Sequence, residues 1–276
     1  MELYNTTIDG KSPLFTYTPF RAAGVEGALG AWTLANPDLV RGTSYTTNHT
    51  GANVGLQWTG TSIWLYGSTR ARSNYQIIRS WSDKVIYGNG TNGTDGVLFS
   101  ESDLNYGSYT VALSVIEGSV TVSRATITVG MGVPGTALQS QNQSAAAGGG
   151  QVNPYFRTSA NSSWAPFILE GSQSVLRTTG FGDRITFTVQ SSVGFAIYGT
   201  TAFESGAYNI SVVPPPDNLP SIVQYNASTA FEVLDALKFL ATGLNETMDY
   251  TVTMTNTDRD KTCDIGQVVL HSAVQA

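Results

Sequence analysis

Short runs of alternating apolar and polar residues recur along the whole chain. Examples are Val54-Gly55-Leu56-Gln57-Trp58, Tyr109-Thr110-Val111-Ala112-Leu113, Ile185-Thr186-Phe187-Thr188-Val189 and Tyr250-Thr251-Val252-Thr253-Met254. A period of two is that of a β-strand with one buried face. Thr, Val, Ile and Tyr fill these runs, while Gly, Asn, Asp and Pro bound them, as pleated surfaces and turns favour. The pattern predicts an almost all-β chain. One exception is Ala230–Leu240, where Phe231, Leu234, Leu237 and Lys238 fall at helix-like spacing and predict a turn or two of helix.

The runs also repeat over a long period. Ile63-Trp64-Leu65-Tyr66-Gly67 resembles Phe195-Ala196-Ile197-Tyr198-Gly199, and Trp32 and Trp164 stand at the same offset. Val54, Leu56 and Trp58 match Ile185, Phe187 and Val189, and Tyr109-Thr110-Val111 matches Tyr250-Thr251-Val252. The offset grows across the Pro-rich stretch Val213–Pro220, which reads as an insertion. A repeat of this length is a whole domain rather than a solenoid unit. Between the copies, residues 139–151 are small, polar and Gly-rich, as in a flexible linker. The expected organisation is a β-sandwich over 1–138, a linker over 139–151 and a second β-sandwich over 152–276.

Composition narrows the function. Charged residues make up 12% of the 276, and the net charge is −6. No basic stripe exists to neutralise phosphates, which argues against nucleic acid and against anionic membrane surfaces. No run approaches the ~20 apolar residues of a membrane span. The single cysteine, Cys263, permits no internal disulfide and reads as a small buried residue.

Asn-X-Ser/Thr sequons occur at Asn5, Asn48, Asn89, Asn92, Asn142, Asn161, Asn209, Asn226 and Asn245. Random placement of the 16 Asn among 61 Ser and Thr would give about three or four. The excess predicts N-glycosylation and passage through a secretory pathway. Residues 1–20 carry no signal-peptide pattern, so a mature or trimmed chain is expected, with any C-terminal anchor outside it.

Several elements resemble a known group. They are Ile8-Asp9-Gly10-Lys11-Ser12-Pro13-Leu14 with Trp32 downstream, Gly60-Thr61-Ser62-Ile63-Trp64-Leu65-Tyr66-Gly67, and Leu104-Asn105-Tyr106-Gly107-Ser108-Tyr109-Thr110-Val111. In the second copy they are Leu244–Asn256 and Asp264-Ile265-Gly266-Gln267-Val268-Val269. The pattern resembles secreted or single-span surface proteins of mushroom-forming fungi with paired ectodomains. That resemblance implies two tandem jelly-roll-like antiparallel β-sandwiches of the galactose-binding-like type. It implies little about function, because the motifs are strand patterns. The first copy departs from the pattern in its last strand, which lacks the acidic residue that Asp264 supplies.

Catalytic chemistry has few candidates. His49 lies inside a sequon, His271 lies near a strand end, and two His cannot make a His-rich metal site. Paired carboxylates, Glu101 with Asp103 and Glu232 with Asp235, are the remaining option for glycoside chemistry. The run Asp258–Asp264 invites a calcium reading, but it aligns with the plain turn Glu117–Thr121, so neither metal nor cofactor is expected. Sugar sites use aromatic faces flanked by amides and Arg. Period-2 logic and repeat matching send Ile63, Leu65 and Trp58 to the core, recurrence in both copies sends Trp32 and Trp164 there, and Trp64 and Trp81 are left as exposed aromatics. With Arg70, Arg72 and Tyr75 between them, residues 64–81 form the most ligand-like cluster, and residues 68–76 are expected to be a loop. Three readings stay open: a non-catalytic glycan-binding or cell-wall-binding glycoprotein, a self-associating structural surface protein, and a glycoside-acting enzyme.

Overall fold

The computed structural model describes residues 1–19, 21, 32–35, 44–89, 96–147, 150–169, 173–217, 219–229 and 232–275. Contacts divide the chain into two compact units. The N-terminal unit is mainly Tyr4–Val129, and the C-terminal unit is mainly Gly130–Ser228 with Glu232–Ala276.

The strands of the first unit are β1 (Glu2–Asp9), β2 (Phe15–Thr18), β3 (Thr33–Leu34), β4 (Tyr45–Thr47), β5 (Asn53–Gly60), β6 (Ser62–Thr69), β7 (Asn74–Arg79), β8 (Ser82–Asn89), β9 (Gly96–Glu101), β10 (Gly107–Glu117) and β11 (Val120–Met131). They form two sheets, β3-β4-β11-β6-β9, with β1 also paired to β11, and β2-β5-β10-β7-β8. Successive strands β5, β6 and β7, and then β9, β10 and β11, change sheet at each step. That shuttling makes the unit a jelly-roll-like sandwich. Alternation does its expected work. Val54, Leu56 and Trp58 of β5 and Ile63 and Leu65 of β6 are buried, as are Trp32 and Trp164.

The second unit adds β12 (Thr136–Ser144), β13 (Ala146–Ala147), β14 (Gln151–Val152), β15 (Arg157–Thr158), β16 (Ala165–Ile168), β17 (Ser174–Thr178), β18 (Arg184–Val189), β19 (Gly194–Thr201), β20 (Ala207–Val213), β21 (Ile222–Asn226), β22 (Val233–Thr242), β23 (Tyr250–Asn256), β24 (Cys263–Ile265) and β25 (Gln267–Gln275). Its sheets run β12-β25-β19-β22, β15-β18-β23-β20-β21 and β16-β17-β24, with the small pair β13-β14. The order β15-β18-β23-β20-β21 reproduces β2-β5-β10-β7-β8 strand for strand.

Register makes the duplication exact to the residue. Trp58 pairs with Tyr109, and Val189 pairs with Tyr250. Leu65 pairs with Phe99, and Ile197 pairs with Phe239, and each pair is followed at once by a register shift. A shared bulge at the same residue is a feature of the fold rather than a local accident. Tyr75 and Tyr208 are likewise equivalent. Tyr75 Oη donates to the Leu98 carbonyl at 2.7 Å, and Tyr208 Oη donates to the Lys238 carbonyl at 2.8 Å. Burial pushes the Tyr75 phenol above its ordinary range. Tyr75→Phe and Tyr208→Phe are each expected to cost about 1 kcal/mol in urea unfolding, the worth of one buried hydrogen bond.

Two expectations need correction. Residues 139–151 are not a free linker. Strand β12 pairs with β25 without a break from Thr136–Gln275 to Ser144–Gln267, and β13 pairs with β14. β12 plays in the second unit the part that β1 plays in the first, so the second copy starts before residue 139 and the supposed linker lies within it. Most of its side chains are exposed, and it lies at a sheet edge, which gives it a polar composition. The described part of 230–240 is strand, not helix. β22 pairs with β19, and a buried Lys238 breaks the alternation that would have marked it.

Lys238 belongs to a place where the copies diverge. Its Nζ donates to Asp264 Oδ1 and to the Asp264 carbonyl, both at 2.8 Å, and Lys238 and Asp264 are 0% and 1% exposed. The Thr200 amide donates to Asp264 Oδ1 at 2.8 Å, the Thr200 hydroxyl donates to Oδ2, and Arg177 Nη2 reaches Oδ2 at 3.1 Å. Burial alone would raise the Asp264 pKa, but Lys238 and the Thr200 hydrogen bonds outweigh it and hold the carboxyl below its usual range. Neighbouring Cys263 is buried, and its thiol is pushed up to about 12, chiefly by desolvation. In the first unit the equivalent positions are Thr46 and Thr121, whose hydroxyls bond at 3.0 Å, and Leu98.

Candidate functional site

An open groove of about 800 Å³ lies in the C-terminal unit. Six separate segments build it. Ser144 ends β12, Ala146 and Ala147 form β13, and Gly150 follows them. Ile168 ends β16, Gln173 precedes β17 and Ser174 opens it, Asp235 lies in β22, and Gly266 and Gln267 lead into β25. The volume falls in the range of small-molecule sites, about 300–1,000 Å³.

The wall chemistry is mixed. Two primary amides, two hydroxyls and one carboxylate supply donors and acceptors. Ile168, 71% exposed, and the two alanines supply apolar surface. Tyr198 is the cross-strand partner of Gln267 on β25 and stands beside it on the same face. Its phenol is raised above its ordinary range by burial and secondarily by the Asp235 charge. Asp235 has φ of 52°, a left-handed conformation uncommon for any residue but Gly, Asn or Asp. It sits where the β19–β22 register shifts, and that bulge aims it away from the plain ladder. Gln173 Nε2 donates to Asp235 Oδ1 at 2.5 Å, which fixes the carboxylate on the groove wall. No cationic side chain lines the groove among the described residues, so its field disfavours phosphates and other anions. Hydroxyl-rich neutral ligands match this lining.

The sequence-derived cluster does not converge. Arg70 and Arg72 are exposed on the tight turn between β6 and β7, Arg72 with φ of 67°. Trp81 lies past the other end of β7, a six-residue strand of about 20 Å. The expected loop over 68–76 is therefore only this turn, because β6 runs to Thr69 and β7 begins at Asn74. Tyr75 points into the core. Trp64 is half-buried on the outer face of β6, with Thr126 and Ser100 as its cross-strand partners. Trp81 is also half-buried, because it packs edge-on against Trp58 at 5.5 Å and against Tyr109 at 5.2 Å.

The proposed carboxylate pairs are each tied to other groups. Glu101 accepts from Arg79 at 2.7 Å, and Asp103 accepts from Ser102 at 2.9 Å. Glu232 lies 3.6 Å from Arg177, while Asp235 is held by Gln173. Among the described residues, no group of three or more His, Cys, Asp or Glu is placed to hold a metal, and no helix is long and apolar enough to cross a membrane. Sequence reasoning missed the groove. Of its lining, only Asp235 stands among the sequence-derived candidate site residues, as an acid rather than as a binding group.

No protein-family model matches the chain, and no curated protein matches it. Solved structures do. The CBM22-1–CBM22-2 tandem of Paenibacillus barcinonensis Xyn10C is 12% identical, over 85% of this chain and 87% of that one, with a TM-score of 0.32. The CBM36-1 domain of a multidomain xylanase from the hindgut metagenome of Trinervitermes trinervoides is 13% identical, over 47% of this chain and all of that one, with a TM-score of 0.30. A family two carbohydrate esterase from Cellvibrio japonicus is 16% identical, over 47% of this chain, with a TM-score of 0.36. The match spans about a third of the esterase's length, 35%. The assignment of the fold here stands on the strand order and register described above.

Proposed function

We propose that this protein is an extracellular, non-catalytic carbohydrate-binding glycoprotein whose C-terminal unit takes a neutral glycan in the Gln173–Asp235–Gln267 groove. The observation that carries the reading is the lining itself. Planar amides and a carboxylate can each meet a pair of sugar hydroxyls, and the apolar wall can meet the C–H face of a ring. The Lys/Arg-poor groove favours uncharged polysaccharides over acidic ones. Isothermal titration against xylan, β-glucan, mannan and chitin oligosaccharides tests the reading. Asp235→Ala is expected to weaken binding about 10–100-fold, the worth of a hydrogen bond to a charged group. Trp64→Ala with Arg72→Ala is expected to leave it unchanged. The reverse pattern would move the site to the first unit.

The glycoprotein part rests on the sequons. Asn5, Asn48, Asn89, Asn142, Asn161, Asn226 and Asn245 are exposed, Asn209 is half-buried on β20, and Asn92 lies outside the described residues. Exposed acceptors in a chain so poor in charge give glycans a solubilising role.

A further inference from the structure

Two of the sequons share one place in the fold. Asn74 and Ala207 open the equivalent strands β7 and β20, one residue before the equivalent Tyr75 and Tyr208. Asn74 pairs with Asn89 on β8, and Ala207 pairs with Asn226 on β21. Both asparagines are exposed, and each ends the outermost strand of its sheet. Each begins a sequon, Asn89-Gly90-Thr91 and Asn226-Ala227-Ser228. The Pro-rich insertion that separates the two copies in length lies just before β21, so the coincidence survives a change of offset.

Among the described residues, β8 and β21 each lie at the edge of a sheet, where self-pairing can occur. An edge strand presents unpaired N–H and C=O groups to any second strand. Residues 83–87 of β8 are all exposed; Asp83 and Lys84 charge its first half and a register shift lies beside them, whereas Val85, Ile86 and Tyr87, the last 68% exposed, leave the half next to Asn89 uncharged. Strand β21 reads Ile222-Val223-Gln224-Tyr225-Asn226, with no charge, no Pro, and Ile222 58% exposed. Short uncharged segments of high β-propensity are the ones that add to like strands. Folded proteins usually blunt such edges with Lys, Pro or bulges, and β21 carries none of these within it. What both edges carry is a glycan acceptor at the same terminal position. At Asn226 the Oδ1 atom accepts the Ser228 amide at 2.8 Å, so that bond does not involve Nδ2, the atom a glycan joins.

We infer that N-glycans on Asn89 and Asn226 guard the two edge strands against pairing with a second copy of this chain. The inference rests on the glycoprotein reading above. Glycosylation here is transfer from an oligosaccharide pyrophosphate donor: Asn Nδ2 bonds to the sugar C1, the pyrophosphate ester leaves, and the amide loses a proton. A hydrophilic branch at the strand end then occupies the space where a neighbouring strand would lie, about 4.8 Å away.

The test uses the full chain secreted from a glycosylating eukaryotic host. Peptide mass spectrometry reads occupancy, and size-exclusion light scattering reads mass. The wild type is expected to carry glycan at Asn89 and Asn226 and to run as a monomer. Thr91→Ala with Ser228→Ala, which removes both sequons and keeps both asparagines, is expected to shift a large fraction to dimers and higher species. Adding Tyr87→Lys and Ile222→Lys to that variant should restore the monomer. Asn48→Gln with Asn245→Gln, away from these edges, should stay monomeric. A monomeric Thr91→Ala/Ser228→Ala variant overturns the inference. So does glycan on other sequons with none on Asn89 and Asn226, an outcome that leaves the glycoprotein reading standing. Absence of glycan from every sequon overturns both.

Discussion

Asp264→Ala is expected to cost the C-terminal unit about 3–5 kcal/mol, the price of leaving a buried cation without its counter-ion. Lys238 Nζ would keep no charged partner at 2.8 Å, and Arg177 would lose its contact at 3.1 Å. Replacing the whole network has the opposite outcome. The first unit carries Thr, Leu and Thr where the second has Arg177, Lys238 and Asp264, and its equivalent tyrosine makes the same hydrogen bond. Arg177→Thr, Lys238→Leu and Asp264→Thr together are therefore expected to be neutral, or stabilising by about 1–4 kcal/mol, in urea unfolding. The pH dependence separates the two cases. The Asp264 carboxyl is held below its unfolded value of 3.8. Its contribution is complete above that value and is lost as pH falls through the folded value. The triple variant should lack that acid limb, while the wild type should show it. A triple variant as damaged as Asp264→Ala would mean that the network specifies the fold rather than merely occupying a site that apolar residues could fill.

Gly67→Ala is the second large effect, expected at about 3 kcal/mol in the N-terminal unit. A Cβ on Gly67 would overlap the Thr121 carbonyl oxygen of β11 and crowd the Leu98 side chain at 2.7 Å. The backbone oxygen cannot swing aside without breaking the β6–β11 ladder. The equivalent Gly199 meets Asp264 Oδ1 at 2.7 Å, Lys238 Cδ at 2.9 Å and the Asp264 carbonyl oxygen at 3.1 Å. Its Ala variant should therefore strike the ion pair first, and Gly199→Ala should be milder in the triple variant than in the wild type. Chemical denaturation of the four proteins checks this. Equal losses at Gly199 in both backgrounds would contradict it. The Tyr-Gly step in both strands thus has a physical reason: at Gly67 the backbone of the neighbouring strand passes too close for a side chain, and at Gly199 the buried ion pair fills the space.

Alternation and repetition made most of the fold legible in advance, because burial on one face writes itself into every second residue. Three features escaped for separate reasons. Strand β12 lies at a sheet edge with most of its side chains in solvent, so Ser, Gln and Asn there look like linker. Strand β22 carries a core Lys238 whose partner, Asp264, lies 26 residues on, and no local pattern shows that pairing. The groove draws on six segments spread from Ser144 to Gln267, none conspicuous alone. The Arg70–Trp81 cluster misled in the opposite way. Its members are close in sequence, yet β7 carries them to opposite ends of the sandwich. Trp81 looked exposed because its partners Trp58 and Tyr109 come from other strands.

The most direct test of glycan binding in the groove is calorimetric titration of wild type, Asp235→Ala and Gln267→Ala with neutral and acidic oligosaccharides in parallel. The expected result is saturable binding of at least one neutral glycan, weakened about tenfold or more by each substitution, with the unfolding midpoint unchanged for Gln267→Ala and slightly lowered for Asp235→Ala, because Ala is disfavoured at the φ of 52° that Asp235 adopts. Binding that survives both substitutions, or that favours the acidic ligands, would contradict the assignment of this groove.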